Sequence, residues 1–180
     1  QNQFATHLEI VAQRWEQALE ATGYTAAVIC SGANQNYFMD DQPPPFKPNP
    51  HFAQFYPGND TEHCELVFRP GADPLLFVYQ PEDYWHLPPS IPDWLPQRFD
   101  LETHSSLEAL SHARSRAVKS TAAGANSVAW ISPNEPTADE LPTLAHNPAT
   151  LIAHLDFLRD QKSGFEVAAM REATRHAVAG

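Results

Sequence analysis

The sequence has 180 residues, 42% of them hydrophobic, which is enough for one folded domain or one domain with the start of another. Its formal net charge is −11, and its 11 Lys and Arg residues are too few for a nucleic-acid or anionic-membrane partner. No run approaches the roughly 18 apolar residues that a membrane helix needs. No signal-peptide pattern opens the sequence, and Cys30 and Cys64 lie in apolar runs, so we expect reduced core thiols in a cytoplasmic protein.

The first predicted elements are a helix and a buried strand. Apolar residues recur at three- and four-residue steps from Phe4 to Leu19, which predicts an amphipathic helix that ends at Gly23. The run from Thr25 to Cys30 is continuously apolar after its first residue. That pattern is typical of a strand covered on both faces.

Prolines stiffen the segment that follows this strand. Between Gln42 and Pro50 they exclude a helix and disfavour an interior strand, so we expect a rigid, exposed arm. The arm is either a stiff connector between strands or a surface that presents its side chains in one geometry to a partner or substrate. Asp40 and Asp41, at its start, are either turn residues or carboxylates that meet a cation, such as the α-ammonium group of a peptide.

Strands and helices alternate over the rest of the sequence. Residues 65–68 and 75–79 flank a Pro-Gly turn and predict a hairpin, residues 98–102 alternate as in an edge strand, and residues 128–131 predict a buried strand. Helix starts are marked by an Asn-Pro pair and three capping boxes: Asn147-Pro148, Ser105 with Glu108, Thr137 with Glu140, and Ser163 with Glu166. The last helix has no glycine or proline stop before Gly180, so we expect the polypeptide to continue. The pattern predicts an α/β fold with a mixed sheet and helices on both faces.

No motif of a complete active site occurs in the sequence. Zinc-protease, Cys-x-x-Cys, nucleophile-elbow and glycine-rich phosphate motifs are all missing. Four potential metal ligands follow one another from Glu62 to Glu65, but neighbours on a strand point to opposite faces, so we interpret them as the start of a strand with alternating exposure. The Tyr84-Trp85-His86 cluster either plugs the edge of the sheet or forms a wall of a substrate pocket.

Four segments stand out for their residue combinations: Phe38-Met39-Asp40-Asp41, Pro45-Phe46-Lys47-Pro48-Asn49-Pro50-His51-Phe52, Asp83-Tyr84-Trp85-His86, and Phe165-Glu166 with Met170-Arg171-Glu172-Ala173. In their order and spacing they resemble the amino-terminal part of bacterial prolidases, the Xaa-Pro dipeptidases, a group that includes organophosphorus acid anhydrolases. The sequence departs from the group at Cys30, where a histidine is expected, and at Gln42-Pro43-Pro44, where aromatics are commoner.

The resemblance implies a creatinase/prolidase amino-terminal α/β domain (ribonuclease H-like) over residues 1–161, with residues 162–180 as the first helix of a pita-bread catalytic domain. It also implies a homodimeric enzyme that hydrolyses dipeptides with carboxy-terminal proline, using two Mn²⁺ ions held in that catalytic domain and none in this chain. By the same resemblance, Asp41, Trp85 and His86 bind substrate in the partner subunit's site, and this chain alone is inactive. The alternatives are a stand-alone interaction domain with no peptidase attached, or the same domain of an aminopeptidase P or creatinase-like relative.

Overall fold

The computed structural model describes residues 2–58, 60–82, 84, 90–121, 127–134 and 144–180. Within them the helices are α1 (Asn2–Thr22), α2 (Pro50–Ala53), α3 (Leu107–Thr121), α4 (Ala149–Arg159) and α5 (Gly164–Ala179), with a 3₁₀ turn at Leu95–Gln97. The strands are β1 (Ala26–Cys30), β2 (Glu65–Phe68), β3 (Leu75–Tyr79), β4 (Asp100–His104), β5 (Val128–Ile131) and β6 (Leu144–His146). No described helix is both long enough and apolar enough to cross a lipid bilayer.

The strands form one mixed sheet in the order β4-β3-β2-β1-β5-β6. β2 is antiparallel to both β1 and β3, so the predicted hairpin is confirmed, whereas β1 and β5, β5 and β6, and β3 and β4 are parallel pairs. Val28 of β1 pairs with Val67 of β2 on one side and with Trp130 of β5 on the other. The edge strand expected at residues 98–102 lies at Asp100–His104, and it has β3 as its neighbour.

Each face of the sheet has its own core. On one face Ile29 and Leu66 pack with Trp15 of α1 and Leu151 of α4. On the other face Val28, Val67 and Trp130 pack with Leu110 of α3. Because neighbouring residues of a strand point to opposite faces, the continuously apolar β1 supplies both cores. The prediction of helices on both faces is therefore confirmed.

Two of the predicted helix ends are confirmed in detail. At the end of α1, Gly23 has a φ of 79° and donates to the carbonyl of Glu20, while Tyr24 donates to the carbonyl of Leu19. This is the pairing of a Schellman motif, which favours glycine. At the start of α5, the Ser163 side chain accepts from Glu166 N–H, and the Glu166 carboxylate accepts from Ser163 N–H, so this capping box is present.

Other predicted helix starts are wrong or fall elsewhere. Asn147 does not cap α4: it has a φ of 43°, its side chain bonds both the N–H and the carbonyl of Ser132, and the helix begins after Pro148. The cap of α3 is Ser106, not Ser105, because the hydroxyl of Ser106 accepts from Ala109 N–H at 3.2 Å. The box of Thr137 and Glu140 lies outside the described residues.

Candidate functional site

The proline-rich arm leaves the sheet at the end of β1 and begins with a tight turn that is bonded to itself. Tyr37 N–H donates to the carbonyl of Gln42 at 3.1 Å, and Asp40 N–H donates to the carbonyl of Tyr37 at 3.0 Å. The Asp40 carboxylate accepts from Gln42 N–H at 2.9 Å, and Met39 has a φ of 57°. Asp40 is therefore a turn residue, one of the two roles considered for it.

The turn points an apolar pair into solvent. The exposed fraction is 93% for Phe38 and 91% for Met39, and the neighbouring Asp41 is also exposed. Large apolar side chains at such exposure, on a turn fixed by its own hydrogen bonds, are typical of a surface that contacts another molecule. Asp41 thus stands where it could meet a charged group outside this chain.

Asn49 anchors the far end of the arm. Its side-chain amide donates to the carbonyl of Cys30 at 3.0 Å, and its own N–H donates to the carbonyl of Ser31 at 2.7 Å. Its side-chain oxygen accepts from His51 N–H at 3.0 Å and caps α2, in which Pro50 holds the first position. The expectation of an exposed, non-helical segment up to Pro50 is therefore wrong for its last residues: Pro48 and Asn49 are buried and Pro50 is helical. Asn-Pro before apolar residues was the sequence signal for this anchor.

The aromatic cluster is only partly described. Tyr84 is 90% exposed, so it does not plug the edge of the sheet. Trp85 and His86 lie outside the described residues, and their predicted role stays a prediction.

A second polar site, missed by the sequence interpretation, lies under α3. The guanidinium of Arg114 donates to the Glu65 carboxylate at 2.5 Å, and both side chains are about nine-tenths buried. The guanidinium also lies 5.3 Å from the centre of the Trp130 ring, whose N–H donates to the Cys30 sulfur at 2.6 Å. Glu62 and His63 are half-buried and Cys64 and Glu65 are buried, so the alternating exposure expected from Glu62 to Glu65 is wrong. Only the apolar run around Glu65 could have signalled a buried charge.

Burial and the ion pair act on Glu65 in opposite directions. Loss of water raises the pKa of the Glu65 carboxyl to about 7, although the Arg114 guanidinium opposes that change. One carboxylate oxygen, Oε2, has no hydrogen-bond partner among the described residues. Burial therefore holds the pKa of the Glu65 carboxyl above its ordinary value even beside the Arg114 guanidinium.

This buried pair lines a cavity of about 360 Å³ at the carboxyl ends of β1 and β5. Gly32 and Asn134 line it where the chain leaves those two strands. A Cβ on Gly32 would lie 2.6 Å from Pro133 Cγ, so the close approach of the two segments requires glycine. Among the residues that the structure describes, no three His, Cys, Asp or Glu side chains lie together as a metal site requires.

Comparison with known proteins decides the family. The family model described as "Xaa-Pro dipeptidase, N-terminal domain" matches residues 2–157. The chain belongs to this family. A Xaa-Pro dipeptidase of Xanthomonas campestris pv. campestris (strain B100) is 33% identical over 181 residues, which cover 98% of this chain and 38% of that protein. Xaa-Pro dipeptidase 2 of Idiomarina loihiensis is 30% identical over 175 residues, covering 96% and 38%.

The chain spans about 38% of the length of these two relatives. A solved structure of a putative aminopeptidase P from Bacillus anthracis superposes with a TM-score of 0.56 at 10% identity, over 91% of this chain and 43% of that one. At that identity the likeness concerns the fold alone, and together with the family match it confirms the creatinase/prolidase amino-terminal α/β architecture.

Proposed function

We propose that this chain is the non-catalytic amino-terminal domain, for dimerisation and substrate gating, of a cytoplasmic, metal-dependent Xaa-Pro dipeptidase. The observation that carries the proposal is the match of the dipeptidase amino-terminal family to residues 2–157, in a chain that spans 38% of its dipeptidase relatives. In this proposal residues 1–161 form the domain, and residues 162–180 begin the catalytic domain.

The substrate class is a dipeptide with proline at its second position. The nitrogen of an Xaa-Pro bond carries no hydrogen, so a site that grips a backbone N–H cannot hold it. The catalytic domain would hold two Mn²⁺ ions, which supply an activated water and polarise the scissile carbonyl. In this proposal the amino-terminal domain forms the dimer and helps to recognise the substrate.

Recognition is assigned to the arm and the aromatic cluster. In a homodimer, the turn around Phe38 and Met39 would insert its apolar pair against the partner, and Asp41 would reach the partner's substrate pocket. A carboxylate there can take the α-ammonium group of the dipeptide in a charge-assisted hydrogen bond. Trp85 and His86 would wall the same pocket. The exposure of Asp41 and the self-bonded turn that carries it support this assignment.

A dipeptidase is favoured over an aminopeptidase P by the sequence comparisons. Relatives at 33% and 30% identity carry the dipeptidase name, whereas the aminopeptidase P likeness is at 10% identity. The alternative function is a stand-alone interaction domain with no peptidase attached. The gene sequence beyond residue 180 distinguishes the two, because a stop codon there would support the interaction domain and an extension with metal ligands would support the peptidase.

Kinetics of the full-length protein with Leu-Pro test the assignment. Asp41→Ala and Trp85→Ala should raise KM while bound metal stays unchanged, because neither residue ligates metal in the proposal. Asp73→Ala, an exposed aspartate on the β2–β3 turn, is the matched control and should leave KM unchanged. The 180-residue chain alone with Mn²⁺ should not cleave Leu-Pro. Cleavage by that chain, or unchanged kinetics in both variants, would contradict the proposal.

A further inference from the structure

A buried histidine joins three separate parts of the chain. His7 of α1 is 2% exposed, and both of its ring nitrogens are within hydrogen-bond distance of a partner. Nε2 lies 2.8 Å from the carbonyl oxygen of Gln54, directly after α2, and Nδ1 lies 2.8 Å from the hydroxyl of Ser163, the N-cap of α5. The partners are 47 and 156 residues away in sequence.

The partner of Nε2 sets one hydrogen-bond direction at His7. A carbonyl oxygen only accepts, so Nε2 of His7 donates to Gln54, while the Ser163 hydroxyl, which can donate or accept, pairs with Nδ1. The same hydroxyl oxygen accepts from Glu166 N–H at 3.2 Å, and the Glu166 carboxylate accepts from Ser163 N–H at 2.8 Å. The capping box of α5 therefore has a third member in addition to Ser163 and Glu166, namely His7 of α1.

The attachment of α5 to the domain is concentrated at its first turn. Phe165 packs its ring 5.1 Å from that of His7 and 5.0 Å from that of Phe4. No residue of α5 is buried, and the residues from Met170 to its end are exposed. A further tether, from Arg14 to the carbonyl of Gln161 at 2.5 Å, holds the segment before the helix and not the helix itself.

Among the described residues, the contacts that hold α5 to the sheet domain lie at its first turn. α5 has 16 residues and is thus about 24 Å long, so a tilt of about 20° at its first turn moves the far end by about 8 Å. It also lies beyond residues 2–157, which the amino-terminal family model matches. A polypeptide segment that continued from α5 would start in the direction of the helix axis.

We propose that His7 is a positioning residue that sets the direction in which α5 leaves the sheet domain. The effect of His7 on catalysis rests on the proposed function. If α5 begins the catalytic domain, the direction that His7 gives to α5 sets the orientation of that domain relative to the arm. The direction of α5 itself does not depend on any peptidase activity, so the two proposals can fail separately.

The distance between spin labels on α1 and α5 tests the proposal in the 180-residue chain. Labels at Gln17→Cys and Ala177→Cys occupy exposed positions on the two helices. Cys30 and Cys64 are buried, and burial raises the pKa of the Cys64 thiol to about 11, so the label should react at the introduced thiols. A sample without the introduced cysteines controls for background labelling.

The decisive pair of variants is His7→Leu and His7→Gln. Leucine fills the space but makes neither hydrogen bond, and we expect a broader distance distribution than the single narrow one of the parent chain. Glutamine carries an NH2 group that donates and a carbonyl oxygen that accepts, and we expect it to restore most of the narrow distribution. Val128→Ala, which removes buried volume in the core on the other face of the sheet, controls for a general loss of stability and should keep the distribution narrow.

Other outcomes overturn the proposal. A narrow distribution in His7→Leu would mean that Phe165 packing alone directs α5. A distribution in His7→Gln as broad as that in His7→Leu would remove the hydrogen bonds from the account. Broadening in Val128→Ala equal to that in His7→Leu would reduce His7 to a general contributor to stability.

Discussion

The side-chain amide of Asn49 donates to the main-chain carbonyl of Cys30 at 3.0 Å and thereby ties the end of the proline-rich arm back to the strand from which the arm departs. The arm is thus a loop whose two ends lie close together, both at the carboxyl end of β1. Rigid anchoring of this kind lowers the entropy that a presenting loop loses when it binds.

The first prediction concerns this anchor. Asn49→Ala removes the cap of α2 and leaves the buried carbonyl of Cys30 without this donor, so we expect a loss of about 2–3 kcal/mol in the free energy of unfolding. Urea denaturation measures it. Asn36→Ala, at an exposed position before the arm, is the control and should stay within about 0.5 kcal/mol of the parent. Equal effects of the two variants would count against an anchor at Asn49.

The second prediction concerns the ion pair under α3. Arg114→Met leaves the Glu65 carboxyl buried without its cation and should cost about 3 kcal/mol at pH 8, because the carboxyl must then either stay buried as an unpaired charge or bind a proton. The double variant Glu65→Met with Arg114→Met should be less destabilised than Arg114→Met alone, because no orphaned charge remains. Urea denaturation measures the free energy of unfolding of each variant. Arg116→Met, at an exposed arginine on the same helix, is the control and should leave that free energy nearly unchanged. A double variant less stable than either single variant would contradict this account.

The third prediction follows from the raised pKa of Glu65. Its carboxyl has a pKa of about 7 in the folded chain against an ordinary 4.5, so between these values the folded state binds more protons than the unfolded state. Stability from this group is therefore full at low pH and falls as pH rises through about 7. Relative to Glu65→Gln, the parent should lose on the order of 3 kcal/mol of unfolding free energy across this range.

The control for this pH dependence is Glu108→Gln, an exposed glutamate on α3 whose replacement should leave the pH profile of the parent unchanged. Urea denaturation at a series of pH values gives the three profiles. A constant difference between the parent and Glu65→Gln at every pH would show that Arg114 keeps the carboxylate ionised throughout.

The fourth prediction distinguishes the exposed side chains at the start of the arm from the buried side chain at its end, which stabilises the fold. Replacing Phe38 and Met39 by serine should change the free energy of unfolding by no more than about 0.5 kcal/mol, because both side chains are already in solvent. Phe52→Ala, which removes a fully buried ring at the other end of the arm, should cost about 3–5 kcal/mol.

In the full-length protein the same serine variant should weaken the proposed homodimer, as measured by sedimentation at a series of concentrations. Unweakened self-association would leave the exposed apolar pair without the role proposed for it.

Local patterns predicted much of this fold. Gly23 and the Ser163–Glu166 box were identified correctly because a helix end is specified by residues within one or two turns of each other. β1 was identified because a strand covered on both faces has to be apolar throughout. Asp40 and Asp41 are two carboxylates that follow an apolar run, and the structure separates them into a turn residue and an exposed carboxylate.

What local patterns could not supply is pairing over long sequence separations. Asn147 has the sequence context of a helix cap, yet its amide bonds Ser132, 15 residues earlier, because the parallel pairing of β5 and β6 brings the two together. Glu65 and Arg114 are 49 residues apart, and His7 and Ser163 are 156 apart. By itself the sequence determined most of the helices and strands and which family the chain resembles, since those depend on neighbouring residues, but it did not predict α2 or β6. Only the tertiary structure decided which buried polar groups meet, because a lone Glu, Arg or His carries no local sign of the distant partner that allows its burial.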